Sequence, residues 1–452
     1  MRKKDGSLRF CVDYRRLNDV TRKDAYPMPN IETMLLSVGG VKYMSSLDLA
    51  SGYHQVAMEP DSMDKTAFPT PDGLFEWTVM PFGLTNAVAT FERFIERVMS
   101  GVLGKFVHAY IDDILVFSRS WTDHMSHLRN VFERFRSAGV KLKPSKCRIA
   151  ASEIVFLGHK LTSQGLKKDE SKVLAIREYP RPTNVNELRR FLGLIGYYRK
   201  FIERFSIVAQ PLLALLKKGT AFEWSEACQE SFETLVNRMC DDVVLEYPDY
   251  AAARTDPKRS FIIQTDASRD GIAGILGQLD GQGKARPICF ASRTCNKPES
   301  EYPITELEAL AVTFAVNRFE QYILGFKVIV ETDHAPLVPM FKKPKECASP
   351  RVNKWAMSVT SRFNLDIRHK PGKSNVNADA LSRAFPPQQS QMNVAITTGL
   401  LEDSDNLKQL PSVTRSEWVK AQAGGEFRDI FEYLTKQSLP ESCEKAQLVS
   451  TT

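Results

Sequence analysis

Apolar residues recur along this chain in two rhythms. From Tyr43 to Leu47 they alternate with small polar residues, the period of a strand with one buried face. Short apolar runs at Phe106–Tyr110 and Ile114–Phe117 flank Asp112-Asp113, the pattern of a β-hairpin with carboxylates at its tip. Residues 167–255 read as mostly helical, punctuated by Pro180, Pro182, Pro211 and Pro248. Within them, Leu188 to Ile202 alternates bulky apolar residues with Arg and Lys, which suits a helix with an inward face and a basic outer one. Ala251 to Lys258 reads as a linker. A second α/β pattern follows, with strands at Arg259–Asp266 and Lys327–Asp333 and a hairpin partner at Gly271–Leu276. Between them, Glu306–Arg318 predicts a helix carrying Leu307, Leu310, Ala311 and Phe314 on one face. Past Pro386 the chain turns polar, which predicts a linker with one or two small helices around Trp418 to Leu434.

Composition narrows this only a little. With 452 residues, 43% hydrophobic and 25% charged, the chain has the make-up of soluble globular protein in two to four domains. No apolar run approaches the ~18 residues of a membrane span, and the basic N-terminus has no apolar run behind it, so no secretory signal is expected. The net charge of +7 is modest, but fifteen Lys and Arg against six Asp and Glu lie between Lys141 and Arg204. Such a block suits a polyanionic partner; it also suits a solvated helical face. The eight cysteines form no Cys-x-x-Cys pair and no zinc-type spacing, so free thiols in a reducing compartment are expected.

Candidate chemistry concentrates on carboxylates. Adjacent aspartates such as Asp112 and Asp113 repel unless something neutralises them, and two Mg²⁺ ions ~3.5–4 Å apart would do so. Asp48, at the end of the alternating run, is placed to be a third ligand. Alone, Asp-Asp also simply makes turns. Downstream, Asp266 and Asp333 end strands, Glu308 lies in the helix, and Asp379 follows in Asn377-Ala378-Asp379. Four such acids can hold two Mg²⁺ ions that activate water against a phosphodiester, although acids at strand ends also serve as caps. His124 and His127 lack Cys or Glu partners and read as structural.

The motifs around these acids resemble a family. Tyr110-Ile111-Asp112-Asp113 is similar to the Tyr-x-Asp-Asp box of reverse transcriptases. Lys3-Lys4-Asp5-Gly6 with Phe10-Cys11-Val12-Asp13-Tyr14-Arg15, Leu47-Asp48-Leu49-Ala50-Ser51-Gly52-Tyr53-His54-Gln55, Lys65-Thr66-Ala67-Phe68, Met80-Pro81-Phe82-Gly83-Leu84-Thr85-Asn86-Ala87 and Phe156-Leu157-Gly158-His159 resemble the gypsy class of long-terminal-repeat retrotransposons. The order Asp266, Glu308, Asp333, Asp379 resembles the ribonuclease H domain joined to these polymerases. The likeness runs in order from residue 2 to about residue 384.

The resemblance implies an α+β chain: a right-hand polymerase of fingers, palm and thumb followed by an α/β ribonuclease H-like domain. The expected divisions are 1–166 (partial fingers and palm), 167–255 (thumb and connection), 256–385 (ribonuclease H-like) and 386–452 (polar tail preceding a missing integrase). It implies metal binding by Asp48, Asp112 and Asp113 and by Asp266, Glu308, Asp333 and Asp379, with two Mg²⁺ per site and Mn²⁺ as a substitute. It implies a triphosphate grip by Lys3 and Arg9, a sugar gate at Tyr53, and Phe82 lining the same pocket. Phe156, Leu157 and Gly158 would grip the primer, and His369 would assist the nuclease.

RNA template, DNA primer, their hybrid and dNTPs are the expected partners. The setting expected is a longer polyprotein with protease and integrase, in cytoplasmic virus-like particles with later nuclear entry. Val88 stands where the family usually has proline. Further fingers residues are expected before Lys3, and their absence leaves a catalytically silent nucleic-acid-binding relic as the alternative to RNA-directed DNA synthesis with hybrid degradation.

Overall fold

The structure, a computed structural model, describes residues 10–344 and 349–371. Lys3, Arg9, Asp379 and the tail 386–452 lie outside the described residues. The chain divides into two compact units; within the described residues the first takes 10–34 and 41–152, the second 35–40 and 153–371.

In the first unit the alternating run becomes β1 (Tyr43–Asp48). The strands β2 (Phe68–Thr70) and β3 (Gly73–Phe75) form a small hairpin of their own. Next come β4 (Val107–Tyr110), β5 (Asp113–Ser118) and β6 (Arg148–Ala151), which with β1 make a sheet in the order β4-β5-β1-β6. Two helices share a core with this sheet. Ala87–Val98 buries Ala87, Phe91 and Ile95 at four-residue spacing, the apolar stripe of an amphipathic helix. Trp121–Ser137 starts at Ser120, whose hydroxyl accepts from the Asp123 N–H at 3.1 Å. His124 and His127 take the structural role expected of them: both rings hydrogen-bond the Ser118 hydroxyl, and His124 also bonds Ser45.

The second unit opens with a three-stranded antiparallel sheet, β7 (Ile154–Phe156), β8 (His159–Leu161) and β9 (Leu166–Lys168). Helices Glu170–Arg177, Val185–Gly196 and Glu226–Cys240 follow, each with a side-chain N-cap: Asp169, Asn184 and Ser225. Phe191 and Phe232 pack with ring centroids 4.7 Å apart.

Two expectations change here. The run from Leu188 to Ile202 is not one helix: it stops at Gly196, and Arg199–Phe201 forms a separate 3-10 turn because Tyr198, Phe201 and Ile202 must all be buried. The supposed linker at Ala251–Lys258 is also structured. Tyr250–Thr255 is a helix capped by Asp249, favoured by three alanines and by Tyr250 packing against Phe261 and Phe326.

Five strands complete the unit: β10 (Phe261–Ala267), β11 (Gly271–Leu279), β12 (Ala285–Thr294), β13 (Lys327–Thr332) and β14 (Asn364–His369). They form one sheet in the order β12-β11-β10-β13-β14, with β10–β13 and β13–β14 parallel. The helix Ile304–Arg318 packs on β10 and β11. Its burial is wider than the one face read from sequence. Leu310 and Ala311 meet Ile272, while Ala309, Val312, Ala315 and Val316 join the main core with Phe261, Ile263 and Leu276. No helix among the described residues is long and apolar enough to cross a membrane.

Candidate active sites

The first site grows from a hairpin. Tyr110 pairs with Asp113, so Ile111 and Asp112 alone make the turn between β4 and β5. Ile111 sits in the left-handed region at φ 53°, an uncommon state for a β-branched residue. What holds it there is Glu92, whose Oε2 accepts from the Ile111 N–H at 2.9 Å. Glu92 is itself buried on the apolar side of its helix, and burial raises its carboxyl above the usual range.

Antiparallel pairing of β1 with β5 sets Asp48 directly opposite Asp113, close enough for side chains to interact. Asp113 is raised, first by burial and then by the charge of Asp48, with Lys146 acting the other way. Lys146 Nζ donates to Asp48 Oδ2 at 3.1 Å.

Beyond Asp48 the chain turns back on itself. Ser51 is left-handed at φ 53°, and Gly52–Gln55 makes a 3-10 turn. Gln55 pins this turn by donating to the Ala50 and Lys141 carbonyls at 2.7 and 2.9 Å. A Cβ on Gly52 would lie 2.4 Å from Asp112 Oδ1 and 2.9 Å from the Phe91 ring, so only glycine fits beside the Asp112 carboxylate. Tyr53 follows, edge-on to Phe82 and Phe91 at 5.4 and 5.3 Å. Burial raises its phenol, and the charges of Asp112 and Glu92 add to that. Asp48, Asp112, Asp113, Tyr53 and Phe82 therefore gather in one place. Val88, where proline was expected, is the second residue of the helix Ala87–Val98, whose first turn forms without it.

The second site lies at the ends of parallel strands. The register sets Gln264 of β10 beside Glu331 of β13, so Asp266 and Asp333, each two residues on, fall at neighbouring strand ends. Glu308 rises from the helix packed beneath them. It is 5% exposed, and its Oε2 has no hydrogen-bond partner among the described residues. Burial, then the charges of Asp333 and Asp266, push its carboxyl up to about 8, against one hydrogen bond from the Ala267 backbone. His369 ends β14, with Nε2 3.2 Å from the Asp333 carbonyl oxygen. Asp266 pairs with Arg204.

Both donor sets are carboxylates, which suit hard divalent cations, and the orphaned Glu308 oxygen is the kind of atom a cation would satisfy. Among the described residues, no three acids, histidines or cysteines are drawn together as a finished ligand set.

The predicted primer-gripping residues make a tight turn between β7 and β8. Leu157 and Gly158 both have positive φ, 47° and 66°, as a two-residue hairpin of this hand requires. The turn is held by paired tyrosines: the Tyr197 hydroxyl donates to the Leu157 carbonyl at 2.6 Å, and Tyr198 donates to that of Gly158. Phe156 is buried beneath it. Glu92, Gly52, Gln55, Lys146 and Arg204 were not singled out from sequence. Gly52 and Gln55 stand inside a quoted motif. Glu92 carried a signal, an acid among the core positions Ala89, Phe91 and Ile95 of an apolar stripe. Lys146 and Arg204 carried none.

Fold and sites together define a right-hand polymerase architecture joined to a ribonuclease H-like one. Residues 1–161 match the family described as reverse transcriptase (RNA-dependent DNA polymerase), and residues 256–361 match the RNase H-like domain found in reverse transcriptase. The chain is 38% identical over 411 residues to the retrovirus-related Pol polyprotein from transposon opus of Drosophila melanogaster, covering 88% of this chain and 40% of that protein. It is 36% identical over 388 residues to that from transposon gypsy of the same organism, covering 83% and 36%. In fold it is similar to the foamy viral protease-reverse transcriptase solved with double-stranded DNA, with TM-score 0.70, 22% identity, and coverage of 82% of this chain and 64% of that one. The chain is a relative of retrotransposon Pol polyproteins and carries a reverse transcriptase domain and a ribonuclease H-like domain; it spans well under half the length of those relatives.

Proposed function

We propose that this chain copies an RNA template into DNA and degrades the RNA strand of the resulting hybrid. One observation carries the reading: two separate clusters of carboxylates, Asp48 with Asp112 and Asp113, and Asp266 and Asp333 beside the buried Glu308. A buried acid without a partner costs stability that a bound cation restores. A catalytically silent binding relic would have no use for the buried, unpartnered oxygen of Glu308.

Mg²⁺, when bound, would activate the attacking oxygen and stabilise the leaving one. In the first centre Asp48, Asp112 and Asp113 would hold it, with Glu92 and Gly52 keeping the turn in place. Tyr53, packed on Phe82, would lie under the nucleotide sugar and exclude a 2′-hydroxyl. Lys3 and Arg9 would take the triphosphate. The turn at Leu157-Gly158 would hold the primer end. In the second centre Asp379 would complete the ligand set and His369 would assist departure of the product. The natural setting we propose is a longer polyprotein with protease and integrase, acting in cytoplasmic particles before nuclear entry.

The test separates the centres in one preparation. Asp112→Asn should reduce primer extension on an RNA template by about 10³-fold or more, while cleavage of an RNA–DNA hybrid persists. Asp266→Asn should do the reverse. Loss of both activities in either variant would sink the two-site reading.

A further inference from the structure

Arg204 comes from the helical part of the second unit, yet its guanidinium pairs with Asp266 of the nuclease centre. The pairing is built into the backbone. Arg204 itself is left-handed, at φ 53°. The short helix after it, Phe205–Val208, is fastened to β12: the Ser206 N–H donates to Ser292 Oγ at 2.9 Å, and the Ser206 hydroxyl donates to the Ser292 carbonyl at 2.8 Å. Ile207 lies against the head of β11, where a Cβ on Gly271 would come within 2.7 Å of Ile207 Cγ1. The strap is tied at its ends as well. Arg238 donates to the Glu203 carbonyl at 2.5 Å, and the Ser231 hydroxyl donates to the Val208 carbonyl at 2.6 Å.

We propose that Arg204 is a resident counter-ion of the nuclease centre, which competes with divalent cations for Asp266 and must release it before the centre loads. This rests on reading Asp266, Glu308 and Asp333 as a nuclease site. Arg carries its charge at every working pH and cannot surrender it. Both side chains are partly open to solvent, which screens the repulsion between a guanidinium and a divalent cation on one carboxylate without abolishing it, so ion pair and metal compete for Asp266. The polyanionic substrate offers the guanidinium another partner, since phosphate oxygens match its fork of donors. Arrival of the hybrid backbone would thus free Asp266 when metal is needed, and the centre would stay guarded without substrate. Arg204 is in this sense a positioning residue; it takes no part in bond cleavage.

The test is metal binding without nucleic acid. The full chain, carrying Asp112→Asn and Asp113→Asn to remove the other centre, is titrated with Mn²⁺, and free Mn²⁺ is read by electron paramagnetic resonance. Arg204→Gln should bind Mn²⁺ about tenfold more tightly than this parent, and Arg204→Lys should fall between. Ser206→Ala keeps every charge but loosens the strap, and should shift affinity the same way by a smaller factor; it also covers the case of Arg204→Gln failing to fold. Unchanged or weaker Mn²⁺ affinity in the Arg204 and Ser206 variants overturns the latch. If Asp266→Asn in the same parent leaves Mn²⁺ binding intact, the nuclease reading itself fails, and the latch with it.

Discussion

The two acidic centres solve one electrostatic problem in different ways. In the first, Asp112 and Asp113 are chain neighbours at the end of a hairpin, and Asp48 faces them across an antiparallel pair. In the second, Asp266 and Asp333 are 67 positions apart in the sequence and meet only because β10 and β13 pair in parallel. Each centre has one carboxylate held by a cation, Lys146 on Asp48 and Arg204 on Asp266. Burial differs more. Glu308 is driven up to about 8, whereas Asp113 is raised with Lys146 partly compensating. Glu308 lies in the core, whereas Asp113 stands exposed at the end of its hairpin, so the second centre holds the more deeply buried acid.

Acid breaks the comparison most strongly. His108 and His124 of the first unit are buried and held down to about 4, in each case mainly by desolvation. A histidine kept neutral in the fold but ordinary when unfolded supports stability above its unfolded value near 6.5, and that support drains away as pH falls towards 4. Each should contribute at most about 3 kcal/mol of loss. Denaturant unfolding of the first unit between pH 7 and pH 4, with His124→Gln for comparison, measures it.

Gly52→Ala comes next. The added methyl must displace Asp112 Oδ1 or the Phe91 ring, and a shift of that size at a reacting centre costs about 10²-fold in rate. Primer extension should fall by that amount while hybrid cleavage is untouched; equal losses in both assays would contradict the separateness of the centres.

In metal-free protein the second centre should respond to pH in the opposite sense. The Glu308 carboxyl is raised above its unfolded value of 4.5, so its contribution is full below 4.5 and is lost as pH rises through about 8. Between pH 8 and pH 6.5, before His159 of the same unit begins to matter, acidification should stabilise the second unit by about 2 kcal/mol through Glu308, of which the buried Lys168, held down to about 8, takes back a small part. Glu308→Gln should flatten that slope, and melting curves in chelator record it. Smallest is Tyr53→Ala. It should raise ribonucleotide incorporation on the order of tenfold, seen as extension with ribonucleotides on the same template. Unchanged sugar discrimination would leave Tyr53 only its packing role against Phe91.

How legible these centres were follows from the range of the interactions that build them. The hairpin around Asp112-Asp113 was readable because two short apolar runs flanking an acidic pair are a local signal, although the turn itself is Ile111-Asp112 and Asp113 already pairs in the strand. The helix holding Glu308 was readable from its apolar period, although its second buried face was not. The break at Gly196 and the capped helix at Tyr250–Thr255 were missed because packing of Tyr198, Phe201 and Tyr250 decided them against local pattern.

By itself, then, the sequence put forward the candidate residues: three acids in one ordered set, four in another, and Tyr53 beside the first. Tertiary structure alone decided what surrounds them. Glu92 under Ile111, Lys146 on Asp48 and Arg204 on Asp266 come from positions 19, 98 and 62 residues away. Charges and hydrogen bonds act through space, and separation along the chain leaves no periodic trace of where a folded backbone will bring them.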